Sequence, residues 1–314
     1  MTDTSRILAL HLGLIAVLFA LNFLLPAYHH GNLSRIMVLA SYAIGYNILF
    51  GYTGLLSLGH ALFFAAGMYG LALPMQHAGL GAVPAFVLGV FAGAIVSAGL
   101  ALLALRTTGV AFMIVTLMFA QAGFLTILYF GDYTRGDEGF IIQQAQRVIA
   151  GIDLTDETNR YMFAWALFSF CLLVCLALIR LPLGRTLIAI RENEERVRML
   201  GYDTGLHKLT AMVLSGTLSA AAGAAYALLF GYAGATFASV QYSIFPLLWV
   251  LLGGAGTVIG PFIGALFMFY LIDLSSGITS AYMLIAGVVL VLLTLFAPQG
   301  LTGEVRRRFW SGLP

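Results

Sequence analysis

Charge is what this chain has least of. Asp, Glu, Lys and Arg make up only 9% of its 314 residues, against roughly 25% in a soluble domain. Lysine occurs once, as Lys208, and no glycine-rich run leads up to it. The chain therefore has no Gly-x-x-x-x-Gly-Lys-Ser/Thr loop to cradle a nucleotide phosphate. A net charge of +2 is too small to hold nucleic acid, and the basic residues sit beside apolar runs, where membrane topology accounts for them. The two cysteines, Cys171 and Cys175, are too few for a structural zinc site and lie four apart in an apolar run, where they act as small buried hydrophobes. No His-Glu-x-x-His pattern or Cys/His cluster suggests a metal enzyme, and no cofactor is expected. Intramembrane carboxylates are missing as well: the only acidic residue near an apolar run is Asp273, at one end. Ion-coupled pumps need such groups for the ion or proton, so that class is disfavoured.

What fills the chain instead is hydrocarbon. Hydrophobic residues make up 61%, and the mean hydropathy is +0.98. From 36 to 130 the only charged residue is Arg106. The composition is that of a polytopic membrane protein, and the fold expected is all-α, a bundle of about ten membrane-spanning helices. The first run, 7–25, is about 19 residues long, close to the roughly 20 a span needs. No clean small-x-small pattern precedes Pro26, so it reads as a retained helix and not a cleaved signal. Further runs cover 36–50, 55–73, 82–105, 109–130, 161–180, 208–232, 238–254, 257–274 and 278–296.

Basic residues fix the expected orientation. Arg180, Arg185, Arg191, Arg196, Arg198 and Lys208 crowd one connection, and Arg306, Arg307 and Arg308 the C-terminal tail. Both should be cytoplasmic. Six spans before the basic connection and four after it then put the N-terminus inside too. The loop 131–160, with an acidic excess, faces outward. The chain reads as one permease domain, 1–314, with that external loop and a cytoplasmic segment, 181–207.

The cytoplasmic segment reads as a short helix. Pro182 and Gly184 interrupt the preceding run, and Gly201 suits a helix stop. Leu187, Ile190, Val197 and Leu200 share a broad apolar face, while Arg191, Glu192, Glu195, Arg196 and Arg198 fill the rest. Glu192 with Arg196, and Glu194 with Arg198, are i,i+4 pairs in the favourable order. Such a helix is either a solvated connector or a docking surface for a soluble partner.

Two runs, 36–50 and 238–254, are barely long enough to span, and each ends at a glycine cluster: Gly51-Tyr-Thr-Gly54, and Gly253-Gly254-Ala-Gly256. Short, glycine-broken segments either shape a transport path or let helices pack closely. His60 is the most polar interior residue after the first cluster, one turn beyond Ser57 and near Tyr46, Asn47 and Tyr52. It either lines a path or is a hydrogen-bonded packing residue. Candidate path residues are thus Tyr52, Gly54, Ser57, His60, Gly253, Gly254 and Gly256. Two small-residue stripes, Ser215/Ser219/Gly223/Ala227 and Gly89/Gly93/Ser97, read as helix-packing seams.

Four stretches resemble one known family, the LivM-type membrane subunit of branched-chain amino acid ABC importers. They are residues 47–60, the basic segment 180–201 with its Gly184-Arg-x-Leu-x-Ala-Ile-Arg191-Glu-Asn-Glu run, Leu251-Leu-Gly-Gly-Ala-Gly-Thr-Val-Ile-Gly-Pro261, and Leu295-Phe-Ala-Pro-Gln-Gly-Leu301. The resemblance implies a bacterial inner-membrane importer with a second permease subunit, ATP-binding subunits and an extracytoplasmic solute-binding protein. It also implies that the 184–195 segment contacts the ATPase through Gly184, Arg185, Leu187, Ile190, Arg191, Glu192 and Glu195. One position departs from the family: its external loop often reads Thr-Gly-Gly-x-x-Gly, where this chain has Thr134-Arg135-Gly136-Asp137-Glu138-Gly139. Three readings stand beside the leading one: a permease for another small solute such as urea or a carboxylate, a stand-alone secondary transporter or channel, and a non-transporting assembly subunit.

Overall fold

The structure is a computed structural model and describes residues 3–309 except 150, 280 and 298. Pro298 of the fourth stretch, both chain ends, and the side chains of Arg306, Arg307 and Arg308 therefore lie outside the description. Ten apolar helices correspond to the ten runs: α1 (Asp3–Leu21), α2 (Ala27–Asn47), α3 (His60–His77), α4 (Ala82–Ala104), α5 (Gly109–Tyr129), α7 (Glu157–Arg180), α9 (Thr204–Phe230), α10 (Val240–Gly253), α11 (Gly260–Ser276) and α12 (Tyr282–Phe296). The short α6 (Gly131–Thr134) opens the long loop; α8 (Pro182–Met199) and α13 (Gly300–Phe309) are the polar helices. Among the described residues, five helices are long and apolar enough to cross a membrane by themselves.

One expected short span is not short. Helix α2 begins at Ala27, nine residues before the apolar run, and continues through a π-helical turn, Ile48–Tyr52, to make a helix of 26 residues. Hydropathy missed its first third because that third is polar. His30 is buried there, its Nε2 3.0 Å from Asn22 Oδ1 and its ring stacked on Tyr161. The following span is shifted along the chain and not lengthened: residues 55–59 run as non-helical chain, and α3 runs from His60 to His77. Helix α10, at 14 residues, is as short as the sequence suggests.

Helix α2 lies at the centre, packed by α7, α9, α10 and α11, while α3, α4 and α9 form a second tight group. The small-residue stripes are the seams of that group. A Cβ on Gly223 would sit 2.0 Å from the Phe64 carbonyl oxygen, one on Gly93 2.0 Å from Ala220 Cβ, and one on Gly89 2.5 Å from the Gly67 carbonyl oxygen. No side chain fits at such separations, so backbone meets backbone. Tyr161 Oη donates to the Leu18 carbonyl (2.6 Å) and Trp165 Nε1 to that of Ile15 (2.9 Å), tying α1 to α7.

The long loop gathers at one end of the bundle. Phe140–Ile141 pairs antiparallel with Tyr232–Ala233, and Arg147 Nε donates to the Leu228 carbonyl (2.7 Å). At the departure from the family pattern, Arg135 takes the left-handed conformation (φ 58°), followed by Gly136 at φ 48° and, three residues on, Gly139 at φ 69°. The loop keeps the glycine-type backbone although the first glycine is an arginine.

A seat for the polar helix on two glycine breaks

At the opposite end of the bundle, the two glycine clusters meet. The first break follows the π-turn of α2, with Gly54 at φ 76°; the second follows α10, with Gly254 at φ 121° and Gly256 at φ 76°. Fully buried Asn47 staples them together. Its Nδ2 donates to the Thr257 carbonyl (2.9 Å), and its Oδ1 accepts from the Gly256 N–H (3.0 Å). A primary amide has the donor and acceptor needed to satisfy two orphan backbone groups at once. Helix α13 closes the far side. The Thr302 hydroxyl donates to the Gly253 carbonyl and lies 2.9 Å from the Thr257 hydroxyl.

Helix α8 lies across this junction. Its apolar face is turned into its own chain: Leu187, Ile190 and Val197 are buried, and a Cβ on Gly184 would meet the Leu178 carbonyl at 2.2 Å. Leu200, expected on that face, is 72% exposed. The helix is also kinked, with Asn193 at φ −162°, ψ 97°. Asn193 Oδ1 then caps the second piece by accepting from the Arg196 N–H (2.9 Å). Of the two anticipated ion pairs, Glu194–Arg198 forms at 3.2 Å, and Glu194 also pairs with Lys208 on α9. The Glu192–Arg196 pair is not formed among the described residues. Burial pushes the Glu194 carboxyl up, but Lys208, Thr204 and Arg198 outweigh it and hold it below its ordinary value.

Arg191 makes the link between the polar helix and the bundle. Its Nη1 donates to the Gly51 carbonyl of the first break. A Cβ on Gly256, in the second break, would lie 2.9 Å from Nη1, and one on Gly54 3.0 Å from Cγ. The guanidinium therefore spans both breaks. Arg185, Glu192 and Glu195 point to solvent on the outer face.

The remaining sequence candidates, Tyr52, Ser57, His60 and Gly253, are buried within this chain. His60 is fully buried, with Nε2 2.8 Å from Ser215 Oγ, which donates onward to the Gly45 carbonyl (2.6 Å). Because that hydroxyl proton is already committed, His60 Nε2 carries the proton and donates. Ser57 Oγ accepts from the Gly59 N–H, Tyr52 is buried, and Gly253 packs on the Gly260 carbonyl. None of these is among the residues lining the largest groove described, which lies between α2, α10 and α11. From sequence Asn47 was noted only as a polar neighbour of His60, and Thr302 was not singled out. A polar residue four positions before a glycine cluster was the signal available for Asn47.

A bundle of apolar helices, broken at glycines and joined to a polar helix, is the architecture of a multi-pass membrane protein. The chain belongs to the branched-chain amino acid transport system / permease component family, whose model matches residues 30–297. The high-affinity branched-chain amino acid transport system permease protein LivM of Salmonella typhimurium is 29% identical over 293 residues, covering 86% of this chain and 69% of the relative. The LivM of Escherichia coli is similar to the same extent. A probable branched-chain amino acid transport permease protein LivM of Methanocaldococcus jannaschii is 32% identical over 170 residues, 48% of this chain and 49% of that one. The autoinducer 2 import system permease protein LsrC of Photorhabdus laumondii is 29% identical over 144 residues, 42% of each chain. No solved structure matches.

Proposed function

We propose that the chain is one permease half of an ATP-driven importer for branched-chain or related amino acids in a bacterial inner membrane. Its partners are a second permease subunit, separate ATP-binding subunits and an extracytoplasmic solute-binding protein; surrounding lipid completes its environment, and nucleic acid has no part. Helix α8 and both termini are cytoplasmic, and the loop 131–160 is external. The observation that carries the reading is the seating of α8. Its inner face, Gly184, Leu187 and Ile190, anchors it to the bundle, and Arg191 reaches both glycine breaks. Its outer face, Arg185, Glu192 and Glu195, is left for the ATPase. A push on α8 thus acts on the ends of α2 and α10 together. A change between inward and outward states needs a differential free energy, and the ATPase's nucleotide cycle supplies it.

The test is reconstitution. The complete complex with ATP and loaded binding protein should accumulate leucine, isoleucine or valine in proteoliposomes. The chain alone should move none, with or without a proton gradient; gradient-driven uptake by the chain alone would establish a secondary transporter. The likeness to an autoinducer 2 permease favours a second reading, a different small solute on the same machinery. A complex that ignores branched-chain amino acids but transports another binding-protein ligand would establish it.

A further inference from the structure

Arg35 is the most deeply placed charge in the long apolar helices. It lies eight residues into α2, about 12 Å along the axis at 1.5 Å per residue. Its side chain is exposed, and it forms no ion pair among the described residues. The guanidinium carbon stands 4.9 Å over the Phe230 ring, within the roughly 6 Å of a cation–π contact. Tyr226 packs on Phe230 at 4.7 Å between ring centroids and on Phe237 at 5.1 Å. Phe237 packs edge-on against Tyr242, at 4.7 Å between centroids. The aromatic floor orients the guanidinium and leaves its N–H fork without a carboxylate.

A neighbouring groove is lined by Leu39, one turn on from Arg35 along α2, although Arg35 itself is not part of its wall. Ile36, Tyr242 and Asp273 are among its walls, and its volume is about 360 Å³. That falls at the small end of ligand sites, roughly 300–1,000 Å³. Charged residues in spans face water or protein and not lipid tails. Arg35 and Asp273 together mark this side as turned away from the acyl chains.

We propose that Arg35, on its aromatic floor, is a solute-binding residue at the outer end of the translocation path. It takes the carboxylate of a small solute while the adjoining groove holds the solute's apolar body. The proposal rests on reading the chain as an amino-acid importer half. A free guanidinium offers two parallel donors to a carboxylate, and the ring-lined walls suit an aliphatic side chain.

The experiment uses the assembled complex. Arg35→Gln should lower leucine uptake at saturating binding protein at least tenfold while ATP hydrolysis continues, and Arg35→Lys should restore part of the loss. In a Cys171→Ala, Cys175→Ala background, Arg35→Cys should react with a membrane-impermeant maleimide from the outside. If Arg35→Gln assembles poorly, Arg35→Lys and the labelling carry the test. Wild-type uptake by assembled Arg35→Gln, or no labelling of Arg35→Cys, overturns the proposal in favour of a lipid-headgroup or partner-subunit contact. A wild-type complex that moves no branched-chain amino acid refutes the functional reading instead, and the labelling then decides the placement of Arg35 by itself.

Discussion

Replacing Arg191 by alanine separates seating from coupling. The side chain contributes one charge-assisted hydrogen bond, to the Gly51 carbonyl, and covers Gly54 and Gly256. Hydrogen bonds to charged groups are worth about 1.5–3 kcal/mol, and partial exposure places this one near the lower figure. The helix itself stays down, because burial of Leu187, Ile190 and Val197 contributes roughly 1.5–3 kcal/mol each. Loss of about 1.4 kcal/mol from the link between α8 and the breaks is a tenfold change in the equilibrium it biases. Arg191→Ala in proteoliposomes should therefore lower solute transported per ATP about tenfold, with ATP hydrolysis and thermal stability near wild type. Arg191→Lys, with a single point charge and no planar fork, should fall between. A coupling ratio unchanged in Arg191→Ala would refute the argument that this guanidinium transmits the motion.

Leu187→Glu buries a carboxylate with no basic partner and should destabilise the subunit by about 3 kcal/mol or more, seen as a lost melting transition. Glu195→Arg on the outer face should leave melting unchanged and weaken ATPase capture in a pull-down. Gly67→Ala drives a Cβ to 2.0 Å from the Ala220 carbonyl and should sharply lower folded yield in a detergent-stability assay, whereas Gly99→Ala, with nothing within 4 Å, should not. Arg135→Gly relieves a left-handed residue that costs roughly 1–2 kcal/mol, so the loop should resist proteolysis better. The Glu194 carboxyl lies below its ordinary value of 4.5, so its stabilisation is present above that pH and is lost as pH falls through the lowered value. Hydrogen exchange across the α8–α9 connection should rise in that acid range, and Glu194→Gln should abolish the dependence.

The ten runs and ten helices agree because lipid demands long apolar stretches, and hydropathy measures that directly. The failures share a cause. Residues 27–35 are polar enough to read as loop, yet they stay helical, and partners such as Asn22 and Tyr161 let His30 be buried among them. Residues 55–59 are apolar enough to read as span, yet the turn after Gly54 takes them out of the helix. Both glycine clusters were visible as breaks. Their contact through Asn47 was not, since it joins residues about 210 positions apart. The polar helix was legible from Pro182 and its charge pattern, but periodicity cannot say whether an apolar face is covered by the same chain or by a partner. The Arg35 platform escaped attention because it lies one residue outside the run taken as the span.

The covered inner face of α8 bears on how such a machine is built in the cell. Because Leu187, Ile190 and Val197 are already satisfied by the bundle, the middle of the helix presents outward charges over a finished surface, and only its end, at Met199 and Leu200, stays apolar and exposed. If the proposed function holds, the subunit can wait in the bilayer without a chaperone to shield that helix, and an ATPase can be recruited late, released and exchanged without unfolding what it leaves behind. Contacts of that kind weaken as ionic strength rises. On the proposed function, the motor is thereby a detachable part, held on by an attraction that salt loosens.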